Sequence, residues 1–160
     1  MRLFDNEQQW LLLYNAALSQ VGKATFQHMA MVQDRAFDCA TFIGYCYHTA
    51  GILEKVNYAY YEKDWYKNDD NFLINNIRNH FGLYIKPSIK LIELDKKSVL
   101  FRGDLLIAST WKPGIANHCA IYIGDDKIIH CRPNTGVEIR PCGSSWFENR
   151  LEKVFRLEVI

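Results

Sequence analysis

The sequence predicts an α+β domain, with helices in its first half and an antiparallel sheet in its second. Apolar residues recur at helical spacing over 5–21, and Asp38 and Gly51 bracket a second helix. From residue 88 onward, short β-branched and aromatic runs are separated by Gly, Asp, Asn and Pro turns. The 160 residues are 49% hydrophobic, enough to fill one core, so 1–160 is read as a single domain.

The first helix is expected over residues 5–21, where Trp10, Leu11, Leu13, Tyr14, Ala17, Leu18 and Val21 recur at helical spacing and Gly22 supplies a stop. Residues 23–37 read as a loop. Asp38 is an N-cap residue for a second helix from Cys39 to about Ala50, ended by Gly51. Residues 54–84 differ in character and read as an insertion. They carry Tyr58, Tyr60, Tyr61, Trp65 and Tyr66, aromatic residues for packing or for a groove wall, and a helix over 69–80. Strands are expected at 99–101 running into 103–108, then at 118–123, 127–132, 136–140 and 154–159.

Charge narrows the function. Nineteen Lys and Arg against eighteen Asp and Glu give a formal net charge of +1, so nothing argues for a nucleic-acid partner. No apolar run approaches the roughly 18–20 residues of a membrane-spanning helix. The opening Met1-Arg2-Leu3-Phe4-Asp5-Asn6-Glu7 puts acidic and amide residues where a secretory signal needs an apolar core, so no such signal is expected. Five cysteines is an odd number, which favours free thiols, one of them reactive, over a disulfide framework.

Cys39 has the most distinctive surroundings of the five. At a helix start, the macrodipole and unpaired N–H groups favour an anion, which lowers a thiol pKa and stabilises an oxyanion. The charge of Asp38 opposes this unless its carboxylate is engaged in capping. Cys46, seven residues on, reads as core.

His118 and His130 flank a hairpin turning at Gly124-Asp125-Asp126. With those three residues as the loop, paired positions sum to 250. Cys119 then faces Cys131, and the two histidines become diagonal neighbours on the opposite face. Cys119, Ile121, Ile123, Ile129 and Cys131 form a uniformly apolar face. The histidine face is therefore the one expected to meet the helix that carries Cys39. Nucleophile, base and a group orienting the base make an acyl-transfer triad.

These motifs, in this order, resemble the NlpC-type cysteine peptidases. The chain has Asp38-Cys39-Ala40-Thr41-Phe42 at a helix start, then Gly103-Asp104-Leu105-Leu106. His118-Cys119-Ala120-Ile121-Tyr122-Ile123-Gly124 and Ile129-His130-Cys131 follow, and the resemblance covers about residues 10–140. Thr25-Phe26-Gln27-His28 is similar to the loop that precedes the cysteine in phage tail-associated members. The chain departs from the family pattern in having Ala40-Thr41 where Ser-Gly is common, and in its 54–84 insertion.

The resemblance implies a papain-like core and hydrolysis of an amide in peptidoglycan stem peptides, typically after a γ-linked D-glutamate. It implies a Cys39, His118, His130 triad, a thioester acyl-enzyme and no metal or organic cofactor. Phe26, Asp38 and Asn117 are candidate substrate-binding residues. Without a secretory signal, a phage tail or a secretion machine becomes a candidate partner, and delivery by virion or by a non-Sec route stays open.

Rival readings remain. A zinc site drawn from Cys39, His118, Cys119, His130 and Cys131 fits no common short-range spacing, and strand alternation points the sheet cysteines away from the histidines. Another acyl-transfer enzyme on the same scaffold would keep the same three residues. A non-enzymatic tail or secretion component could retain the fold alone. Asp104 reads as a turn or supporting hydrogen-bond residue, Cys142 as a loop residue, and His28, His48 and His80 as incidental.

Overall fold

A computed structural model describes residues 1–56, 67–142 and 148–160. The aromatic cluster from Tyr58 to Tyr66 lies outside the described residues. Among those described, no helix is long and apolar enough to cross a membrane.

Helix α1 spans Glu7–Leu18, capped by Asn6, whose Oδ1 accepts the Gln9 N–H at 3.0 Å. Trp10, Leu13, Ala16 and Ala17 are buried. The helix ends three residues before the predicted last residue, 21, because residues 19–23 form tight turns that include Gly22 at φ +74. The expected loop at 23–37 instead forms a small sheet of two-residue strands. These are β1 (Thr25–Phe26), β2 (Met31–Val32) and β3 (Ala36–Phe37), in the order β1-β3-β2. The Gln20 side chain clamps this segment, donating to Asp34 Oδ1 and accepting from the Asp34 N–H.

Helix α2 spans Cys39–Thr49 and is followed by Ala50 and then Gly51 at φ +76, as the sequence predicts. Helix α3 runs Phe72–Tyr84, later than the predicted 69–80, with Leu73, Ile77, His80 and Phe81 buried.

The main sheet has six antiparallel strands. They are β4 (Ile89–Leu94), β5 (Leu105–Ala108), β6 (His118–Gly124), β7 (Lys127–Arg132), β8 (Gly136–Pro141) and β9 (Leu151–Val159), in the order β4-β9-β5-β6-β7-β8. Residues 99–101 are not a strand. Asp104 instead closes a turn there, its Oδ2 accepting the Phe101 N–H at 2.8 Å, and Arg156 donates to both carboxylate oxygens. Asp104 thus serves a turn and a buried ion pair.

The β6–β7 turn differs from a plain three-residue loop. Gly124 pairs with Lys127, so the turn is the two residues Asp125 and Asp126, with φ of 50 and 58. A bulge between Tyr122 and Gly124 restores the 250 sum at Tyr122–Ile128 and Ile121–Ile129. The predicted register therefore holds for a different reason. A two-residue turn without the bulge would have put the histidines on opposite faces.

Helix α2 packs on the cysteine face of the sheet, not on the expected histidine face. Phe42, Ile43 and Cys46 join one core with Cys119, Ile121, Ile129 and Cys131, whereas Ala108, Ala120 and Ile128 belong to a separate cluster. His118 lies opposite Ala108 and shares its side of β6 with Ala120, which places it on that second face. The reason is hydrophobic: an apolar helix face gains most against the apolar side of the sheet.

Candidate active site

Asp38 decides where α2 begins. Its Oδ1 accepts the Thr41 N–H at 2.8 Å, and Thr41 Oγ1 accepts the Asp38 N–H at 2.9 Å, a reciprocal capping box. Its Oδ2 accepts the Met29 N–H at 2.9 Å, which ties the small sheet to the helix start. Both carboxylate oxygens are therefore held by backbone amides, and the residue is buried.

Cys39 follows as the first helical residue, with 9% of its surface exposed and its Sγ 4.0 Å from the Asn117 carbonyl. It hydrogen-bonds with His118, the first residue of β6. The thiol pKa is lowered to about 6. The Cys119 S–H leads this effect, burial opposes it, the hydrogen bond and charge of His118 assist, and the Asp38 charge opposes. The site therefore gives up the thiol proton more readily than an ordinary cysteine does.

His118 opens β6 and is buried. Its Nε2 lies 2.8 Å from His130 Nδ1, with the ring centroids 4.8 Å apart and the planes at 74°. Nδ1 is thus the ring nitrogen left for the thiol. Burial lowers the His118 pKa, and its hydrogen bond with Cys39 works the other way.

His130 is fully buried, and its Nε2 lies 3.0 Å from Glu138 Oε1. Burial first, then the charges of Arg132 and Arg140, lower its pKa to about 3, so it is neutral at ordinary pH.

The structure therefore brings Cys39, His118 and His130 together. Asn117 adjoins the thiol through its carbonyl, while its side chain holds the preceding loop, its Oδ1 accepting the Thr110 N–H at 2.6 Å. Phe26 is half-buried and pairs with Phe37, two residues before Cys39. Of the other histidines, His48 meets the Leu53 carbonyl at 2.9 Å and His80 is buried in α3. All five cysteines are buried thiols. Among the described residues, no group of three or more His, Cys, Asp or Glu is arranged to hold a metal ion.

Glu138 is the member of the hydrogen-bonded chain that sequence reasoning does not reach. Its signal is nonetheless present. A Pro133-Asn134-Thr135 turn between β7 and β8 sets His130 directly opposite Glu138, on the same face.

The sequence model of the NlpC/P60 family matches residues 22–156. The tail tip assembly protein K of Escherichia phage lambda is 33% identical over 96 residues, which cover 60% of this chain and 42% of that protein. The structure is similar to that of an NlpC/P60 family protein from Bacillus cereus, with a TM-score of 0.58 at 20% identity, over 91% of this chain and 39% of the other. It is also similar to RipD from Mycobacterium tuberculosis, described as a non-catalytic NlpC/p60 domain protein adapted to peptidoglycan binding. The TM-score is 0.50 at 15% identity, over 92% of this chain and 96% of that one.

Proposed function

This chain belongs to the NlpC/P60 family, and on that premise we propose that it is a cysteine hydrolase cleaving an amide bond in peptidoglycan stem peptides. The single observation that supports the reading best is the contiguous set of Cys39, His118 and His130, with the histidines 2.8 Å apart and the thiol pKa lowered to about 6.

The reaction uses this chain's own groups. Nδ1 of His118 takes the Cys39 proton, and the thiolate attacks the scissile carbonyl carbon. The carbonyl's π electrons move onto its oxygen. First-turn N–H groups of α2, at Cys39 and Ala40, have no intrahelical partner and can receive that oxyanion. The intermediate collapses, the C–N bond breaks, and His118 returns its proton to the leaving amine. Water, activated by the same Nδ1, then hydrolyses the thioester and frees the thiol. His130 holds the ring of His118 throughout.

The bond proposed is the one after a γ-linked D-glutamate. The phage relative supports a tail-borne setting, in which the hydrolase opens the cell wall from the virion. Intact mass spectrometry of protein quenched in acid during turnover tests the chemistry. An acyl adduct on Cys39 that is absent from Cys39→Ala supports it, and turnover by Cys39→Ala contradicts it.

A further inference from the structure

We propose that Glu138 is a positioning residue: it fixes the tautomer of His130 and, through it, turns the basic nitrogen of His118 toward Cys39. This rests on reading His118 as the base that serves Cys39.

Each histidine has both ring nitrogens committed. His130 meets His118 through Nδ1 at 2.8 Å and Glu138 through Nε2 at 3.0 Å. A carboxylate only accepts hydrogen bonds, so Nε2 of His130 must carry the proton. A neutral imidazole has one N–H, which leaves Nδ1 of His130 bare. His118 must then donate from Nε2, and its own Nδ1 is left bare for the thiol proton.

The reverse assignment fails twice. It sets the lone pair of His130 Nε2 against a carboxylate oxygen at hydrogen-bond distance. It also puts a proton on Nδ1 of neutral His118, which then cannot accept one from Cys39.

The strands place Glu138 for this role. His130 and Glu138 are direct cross-strand partners in the β7–β8 ladder, and Glu138 is only partly exposed. Arg132 Nε and Arg140 Nη1 lie 3.6 and 3.5 Å from the same oxygen that His130 meets. Those two cations disfavour a second proton on His130, so the carboxylate orients a neutral ring instead of forming an ion pair. The result is a four-residue relay, Cys39–His118–His130–Glu138, in which only the first two groups meet substrate.

The test is nitrogen NMR of histidine tautomers in protein labelled with ¹⁵N-histidine, with iodoacetamide alkylation of Cys39 measured alongside. In the wild type, His130 should show a protonated Nε2 and a bare Nδ1. In Glu138→Gln, whose amide can donate or accept, both tautomers of His130 should appear. Cys39 alkylation at pH 7 should slow by about tenfold, and Glu138→Asp should recover part of the loss. A wild-type His130 protonated at Nδ1 overturns the proposal, and that spectrum decides even if a variant fails to fold. So does an unchanged tautomer in folded Glu138→Gln, or a shifted tautomer with unchanged alkylation. Neither readout uses a peptide, so failure to cleave peptidoglycan would count against the hydrolase and leave this relay standing.

Discussion

The Cys119 thiol donates to the carbonyl oxygen of Cys39 at 3.2 Å, fastening the first turn of α2 to the underside of β6. The same thiol is the leading cause of the lowered Cys39 pKa. A residue that reads from sequence as filler for an apolar strand therefore supports the nucleophile.

This sets the pH dependence of the thiol. Alkylation of Cys39 by iodoacetamide should rise with pH and reach half its maximum near pH 6, where an ordinary thiol would do so near 9. Cys119→Ala and His118→Ala should each move the midpoint upward, since each removes a group that lowers the pKa. A midpoint that ignores both substitutions would contradict the described site.

The buried histidines predict acid sensitivity with a definite sign. His130 has a pKa of about 3 in the folded chain against an ordinary value of 6.5. Below about pH 6.5 the unfolded chain binds a proton that the folded chain refuses, so stability falls as pH drops toward 3. His118 adds in the same direction. The urea midpoint should fall through this window by an amount worth a few kcal/mol, and His130→Gln should flatten the slope.

Asp38→Ala removes the capping box and strands the Met29 N–H. It should cost about 2 kcal/mol, seen as a Tm lower by roughly 4–8 °C. Asp38→Asn can keep much of the cap while removing a charge that raises the Cys39 pKa. It should therefore be more stable than the alanine variant and should lower the alkylation midpoint.

Gly136 sits at φ +68, and a Cβ there would lie 2.2 Å from the Ala24 carbonyl oxygen. Gly136→Ala should destabilise by roughly 2 kcal/mol or more, because backbone of the small sheet would have to move. Thermal denaturation checks this, and an unchanged Tm would contradict the described packing.

Legibility in the sequence followed the strength of the local signal. Asp38 and Gly51 mark α2 at both ends because capping is a one-residue preference with a hydrogen bond behind it. The pairing of Ile121 with Ile129 follows from a three-residue loop in the sequence, and in the fold a two-residue turn plus a bulge arrive at the same pairing. The strands at Thr25–Phe26, Met31–Val32 and Ala36–Phe37 are too short to show any period. The side of the sheet chosen by α2 is not legible in the motifs, since proximity of Cys39 to His118 does not require their elements to pack face to face. Glu138 stayed hidden because an isolated acidic residue on a strand acquires meaning only once its partner across the ladder is known.

Cys39 is proposed as the nucleophile of a stem-peptide hydrolase. The most direct measurement is mass spectrometry of defined stem peptides of several chemotypes incubated with freshly reduced protein. The wild type should release fragments cut after the γ-linked D-glutamate, and Cys39→Ala should release none. No cleavage of any chemotype by the reduced wild type, or equal cleavage by Cys39→Ala, would contradict it.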